Sequence, residues 1–245
     1  MDAAALETVQ GWLRAARHVA VLTGAGISAE SGVPTFRDAQ TGYWAQFRAE
    51  DMATEEGFRA HPARVWGWYQ HRRQMLAGVQ PNDGHRALAE FALRHPGRLT
   101  LVTQNVDGLH QRAGSTDVLC LHGDLMEDRF LDLPRACCHP DTVEAGNPPH
   151  CPRCGNMLRP GVVWFGEPLP LAVFDAAQQA ARACDLMLVV GTAGAVYPAA
   201  GLAHSARAAG AKVVVVNTAP SELDDVAHAV LRGSASQVLP ALLAP

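Results

Sequence analysis

The sequence has no surplus of either charge, no long hydrophobic run and no repetition. A formal net charge of −4 over 245 residues leaves no basic footprint for a phosphate backbone, so no nucleic-acid partner is expected. No apolar run approaches the ~20 residues that cross a bilayer, so no membrane partner is expected. The opening residues, Met1 to Glu7, lack a basic region followed by an apolar core, and a secretory leader is not expected. Cysteine is scarce: of six, four (Cys137, Cys138, Cys151 and Cys154) fall within 18 residues. That clustering suits a metal site better than a disulfide framework, and it points to a reducing, cytoplasmic compartment. Cys120 and Cys184 read as small core residues. The remainder is ordinary for a globular chain, 48% hydrophobic and 18% charged. Its length suits one large domain, or one with a small insert.

Short apolar runs alternate with helical spacings. His18 to Leu22, Leu99 to Thr103, Val118 to Leu121, Asp185 to Val190 and Lys212 to Val216 read as buried strands. Helices are predicted over 4–16, 62–78, 84–94, 171–183, about 198–209 and 235–243. Val162 to Phe165 returns to strand character after a proline-rich, aperiodic stretch. Strands alternating with helices predict an α/β fold with a doubly wound parallel sheet. The expected parts are a Rossmann-like domain (1–37, 84–123 and 161–245), a helical part (38–83) and a small module (124–160).

Polar motifs sit just after five of these strands, the edge where open α/β sheets bind ligands. The first is a G-x-G-x-x-A loop, Gly24-Ala25-Gly26 through Ala29, which suits a tight turn with amides near a pyrophosphate and a helix opening at Ile27. Gln104-Asn105-Val106-Asp107 follows the second strand and His122-Gly123 the third. A histidine there can titrate near neutral pH and serve as a base. Gly191-Thr192-Ala193 and Asn217-Thr218-Ala219 end the last two. Tyr69 and Arg72, three apart, share a helix face; spacing alone makes them a tyrosine packed beneath a surface arginine.

The stretch Gly24 to Asp38, GAGISAESGVPTFRD, with the later Q-N-x-D and His122, resembles the sirtuins, NAD-dependent protein-lysine deacylases, over about residues 16–240. The resemblance implies that NAD is a consumed co-substrate, held also by Phe36, Arg37 and Ala235. Gln104 would contact the ribose, Asn105 order a water and a ribose hydroxyl, and Asp107 hold the carboxamide; His122 would be the base. An acyl-lysine protein substrate attacks the nicotinamide ribose, and the products are nicotinamide, free lysine and O-acyl-ADP-ribose. Val163-Trp164-Phe165-Gly166 resembles the segment that pairs with the substrate peptide as an added strand. Tyr69 and Arg72 match the Y-x-x-R of class III sirtuins, which remove anionic acyl groups, and Ala53 matches the small residue that leaves room for a long acyl chain. Succinyl- and malonyl-lysine are therefore expected over acetyl-lysine, with acetyl still accepted.

The cysteines depart from the family's two C-x-x-C pairs around a structural zinc. Cys151-Pro152-Arg153-Cys154 is present, but Arg129 to Asp132 occupy the place of the first pair. One site is Cys138 or Cys137 with Cys151 and Cys154, completed by the other cysteine, His139 or His150. A module folded without zinc is the alternative. Two other functions stay open: an NAD-dependent protein ADP-ribosyltransferase and a non-catalytic NAD or ADP-ribose sensor.

Overall fold

A computed structural model of the chain describes residues 2–34 and 47–244. Six parallel strands form the main sheet in the order β3-β2-β1-β6-β7-β8. They are β1 (Val19–Thr23), β2 (Leu99–Thr103), β3 (Leu119–Cys120), β6 (Leu186–Val190), β7 (Lys212–Asn217) and β8 (Ala229–Arg232). The order is that of two mononucleotide-binding halves, and the strand order reverses between β1 and β6. Register is direct there: Val19 faces Leu186 and Thr23 faces Val190.

Alternation along the central strands divides two cores. Val19, Val21, Leu186, Leu188 and Val214 face α1 (Ala3–Ala15), α6 (Asp83–Arg94) and α10 (Ala235–Leu243), where Leu13, Leu88 and Leu239 close the layer. Ala20, Leu22, Met187, Val189 and Val215 face α8 (Leu171–Ala183) and α9 (Gly201–Ala208), whose contact residues include Ala177, Ala181, Ala203 and Ala206. These alanines let helices lie close to the sheet. Cys184 is buried there; Cys120, expected in the core, is only partly buried at the short edge strand β3.

A second, antiparallel sheet pairs β4 (Gly123–Phe130) with β5 (Leu158–Val162). The strand expected over Val162 to Phe165 therefore falls earlier. The reason is local: the Trp164 amide donates to the Glu167 carboxylate at 2.8 Å, and the Glu167 amide returns to the Trp164 carbonyl at 3.0 Å. Those bonds close a turn instead of extending a ladder. A third core joins this sheet to the helices α3 (Ala49–Met52), α4 (Glu55–Ala60) and α5 (Pro62–Ala77). Phe58, Val65, Trp68 and Tyr69 pack there with Leu125, Leu158 and Trp164. Strand β8 and helices α3 and α4 were not foreseen from the sequence.

Candidate active site

The first turn of the site is made by three interlocked glycines. A Cβ on Gly26 would lie 2.7 Å from Gly191 Cα, and one on Gly191 (φ +62°) would lie 2.4 Å from the Ile27 nitrogen. Gly24 and Gly26 donate their amides to the Val190 and Gly191 carbonyls at 2.9 and 2.7 Å. Those two N–H groups are thus spent on joining β1 to β6, which corrects the expectation that they face a phosphate. Helix α2 (Gly26–Ala29) is a single turn that opens one residue before Ile27, and Ala29 at its end is exposed. The Ala25 N–H has no partner among the described residues. Phe36 and Arg37 lie outside the described residues.

Asn105 is fixed onto this loop, its amide nitrogen donating to the Gly24 carbonyl at 3.1 Å and to Ser28 Oγ at 3.2 Å. Asp107 is buried, accepting from Ser28 Oγ at 2.7 Å and from the Leu109 amide at 2.9 Å. Gln104 donates to Thr192 Oγ1 at 3.3 Å, and Asn217 donates to the Thr192 carbonyl at 3.1 Å. Thr192 thereby ties three strand ends together. Ala193, Thr218 and Ala219 are exposed beside it, whereas Ala235 is buried against Gly84 at the start of α10.

His122 sits where β3 ends. Its Nδ1 is 2.9 Å from the Gln104 carbonyl. A carbonyl only accepts, so Nδ1 carries the proton and Nε2 keeps a free lone pair. Burial pushes the imidazole below its ordinary value, and the bond to Gln104 only partly offsets this. The ring is therefore a neutral base near pH 7.

Beneath these groups lies a polar layer that sequence reasoning missed. Thr23 Oγ1 donates to Thr103 Oγ1 at 2.8 Å and meets His110 Nε2 at 2.9 Å; Ser28 Oγ meets His85 Nε2 at 3.3 Å. The His85 and His110 rings pack edge to face, 4.9 Å apart. Burial lowers them to about 4 and about 3. The available signal was a polar residue on each apolar segment: His85 beside Leu88, and His110 beside Leu109.

The residues expected to line an acyl pocket are linked to His122 through the segment from Val163 to Phe165. The Val163 amide donates to the His122 carbonyl at 2.8 Å, and the Phe165 amide to the Ala53 carbonyl at 2.9 Å. Phe165 is exposed and Gly166 turns at φ +86°. Tyr69 is buried, and its hydroxyl accepts the Trp164 indole N–H at 2.9 Å; burial pushes it up to about 12. Arg72 lies over the Trp68 ring at 5.0 Å. Burial lowers it from its ordinary value, while Tyr69 and Asp107 act the other way. No carboxylate pairs with Arg72 among the described residues.

The four clustered cysteines converge, with all four sulfurs within 4.8 Å of one another. A tetrahedral zinc with Zn–S bonds of about 2.3 Å sets its sulfurs about 3.8 Å apart; Cys138 and Cys154 stand at 3.5 Å. The adjacent pair reaches one point because the chain turns sharply there, the Cys138 amide bonding to the Arg135 carbonyl at 2.8 Å. Burial acts to raise Cys151, but the Arg153 and Cys154 amides donate to its sulfur and bring it down to about 7. His139 and His150 lie outside the cluster; His150 instead faces Glu144 at 3.4 Å.

Strand order, glycine interlock and a neutral histidine at the carboxyl edge define a Rossmann-type nucleotide site. The chain belongs to the Sir2 family, whose model matches residues 24–198. It is 56% identical over 245 residues to an NAD-dependent protein deacylase of Ralstonia nicotianae, covering 99% of this chain and 98% of that one. The corresponding protein of Methylococcus capsulatus is 52% identical over 240 residues, with 94% and 93% covered. Among solved structures, a Sir2 homolog–NAD complex is 39% identical with a TM-score of 0.85, covering 99% and 93%. Sir2 bound to an acetylated peptide is 29% identical with a TM-score of 0.81, covering 96% and 95%.

Proposed function

We propose that this chain is an NAD-dependent protein-lysine deacylase whose pocket favours succinyl and malonyl groups over acetyl. The observation that carries the acyl preference is Arg72: a partly buried guanidinium, three residues from Tyr69, with no carboxylate partner among the described residues. An anionic acyl group would complete it.

Asn105, Asp107 and Gln104 orient the ribose and nicotinamide end of NAD, and the Ala25 amide meets the diphosphate. Gly191, Thr192, Ala193, Asn217, Thr218, Ala219 and Ala235 hold the adenosine end. NAD supplies, when bound, an electrophilic ribose carbon. His122 Nε2 takes the proton from a ribose hydroxyl while Gln104 holds Nδ1–H. Val163 to Gly166 lies beside His122 and receives the peptide as an added strand. Cys137, Cys138, Cys151 and Cys154 hold one structural zinc, a use of thiols that suits the cytoplasm. The parts divide as a nucleotide domain, a helical acyl-pocket part and a zinc module.

The test is mass spectrometry of matched succinyl-, malonyl- and acetyl-lysine peptides with and without NAD. NAD-dependent loss of succinyl, faster than acetyl, is expected. Arg72→Met should lower desuccinylation 10- to 100-fold more than deacetylation, the scale of a charge-assisted hydrogen bond worth roughly 1.5–3 kcal/mol. Equal losses would refute the anionic pocket, and a target that gains ADP-ribose instead of losing acyl would favour the transferase.

A further inference from the structure

Tyr69 does not stand alone. Its oxygen accepts from Trp164 Nε1 at 2.9 Å, a bond made in a buried setting between residues 95 apart in sequence. Indole N–H is a donor only, so this bond occupies a lone pair of the Tyr69 oxygen and frees the hydroxyl proton for another acceptor. Trp164 is itself held from two sides. Its backbone N–H donates to Glu167 Oε2 at 2.8 Å, and the Arg159 guanidinium lies 3.3 Å over its ring. Arg159 is 2% exposed, pairs with the same Glu167 through both terminal nitrogens, and donates to the Val162 carbonyl at 2.8 Å. Arg129 reaches Glu167 from β4 at 2.9 Å. Phe58 packs against the indole at a tilt, with ring centroids 5.2 Å apart.

Burying a charged arginine in this place is costly unless its partners are well fixed. A purely apolar support would hold Trp164 equally well as packing. What the ion pair adds is direction: it fixes the backbone turn and the ring plane together, and so the line along which the indole N–H points. We infer that Glu167 and Arg159 are positioning residues for acyl selectivity: they aim Trp164 Nε1–H at the Tyr69 oxygen, so that the Tyr69 proton is presented to the acyl carboxylate beside Arg72. This rests on the anionic-acyl reading of Tyr69 and Arg72.

The test is a double-mutant cycle read as the ratio of kcat/KM for succinyl- and acetyl-lysine peptides of one sequence. Trp164→Phe keeps an aromatic ring and removes the N–H donor along with part of the indole, and the comparison between the two Tyr69 backgrounds separates the lost bond from the lost volume. Trp164→Phe should lower the ratio roughly 5-fold, the worth of one neutral hydrogen bond. In a Tyr69→Phe background the same substitution should change the ratio less than about 2-fold, because the oxygen it acts through is gone. Arg159→Met should follow the same pattern with a smaller loss, and it carries the cycle if Trp164→Phe does not fold. Equal drops in both backgrounds, or a ratio that Trp164→Phe leaves unchanged in the otherwise wild-type protein, would overturn the inference while Arg72→Met still lowers the ratio. A ratio untouched by Arg72→Met would remove the acyl reading and this inference together.

Discussion

A histidine must be neutral to take a proton, and at His122 burial works to that end against the opposing pull of the Gln104 carbonyl. Burial disfavours its charge, and the Gln104 carbonyl at 2.9 Å selects the tautomer with Nε2 free. Burial lowers its pKa from 6.5, so the base is competent at pH 7 and is lost only as pH falls through that lower value. The expected kcat/KM profile for deacylation is flat between pH 7 and 8, with an acid limb of about unit slope centred below the free-histidine value. A limb centred above 6.5 would contradict the burial argument. The groups nearest this chemistry were legible in the sequence because each lies in a contiguous motif: the glycine loop, Gln104 to Asp107, and His122-Gly123. The supporting residues were not. Ser28, His85 and His110 gain meaning only once three separate elements bury them together, and the bond from Trp164 to Tyr69 spans too much sequence for any periodicity to register.

At the level of elements, strands with continuous apolar runs were readable because both faces are buried: β1, β6 and β7 show it residue by residue. Strand β8, Ala229-Val230-Leu231-Arg232, was not readable. It is four residues long with only Leu231 fully buried, since it is an edge strand. The two-stranded sheet hid for another reason. Glu127, Asp128 and Arg129 in β4 are exposed, so one strand carries little hydrophobic pattern. Its partner β5 is separated from it by the cysteine stretch, and neither the spacing nor the composition of that stretch reveals an antiparallel pair. The convergence of Cys137 and Cys138 with Cys151 and Cys154 was one of the options the sequence left open, and a local turn, not spacing, decides it over His139 and His150. The cluster closes the loop between β4 and β5, whose core residues Leu125 and Leu158 also pack under Tyr69. Zinc is therefore expected at about one ion per chain by elemental analysis. Cys151→Ser or a strong chelator should lower Tm by on the order of 10 °C, as loss of a structural metal does. A protein purified without zinc, with a Tm that a chelator leaves unchanged, would count against a metal-held module.

Across the whole molecule, the carboxyl edge of the sheet is stabilised by groups that work only when uncharged. His85 is 0% and His110 1% exposed, and Nδ1 of His110 has no hydrogen-bond partner among the described residues. In the folded protein they take a proton only near pH 4 and pH 3; in the unfolded chain they do so near 6.5. The unfolded state thus binds more protons at every pH between these limits, and stability must fall as pH drops from 6.5 toward 4 and 3. At pH 5 each histidine contributes a loss of about 2 kcal/mol, so the pair removes on the order of 4 kcal/mol from a total of roughly 5–15. His122 and His228, also lowered by burial, act in the same direction. Ordinary carboxylates titrate near pH 4, so the interval from pH 7 to 5 separates their effect from that of the histidines. Urea unfolding at pH 7, 6 and 5 should therefore show a steady loss of stability with an uptake approaching two protons or more on unfolding. His110→Gln should reduce that uptake by about one while lowering the stability at pH 7, since Thr23 loses a partner. A wild-type stability that stays level from pH 7 to 5 would show that these histidines are protonated in the folded state, and that the buried polar layer beneath Asn105 and Asp107 is not a neutral one.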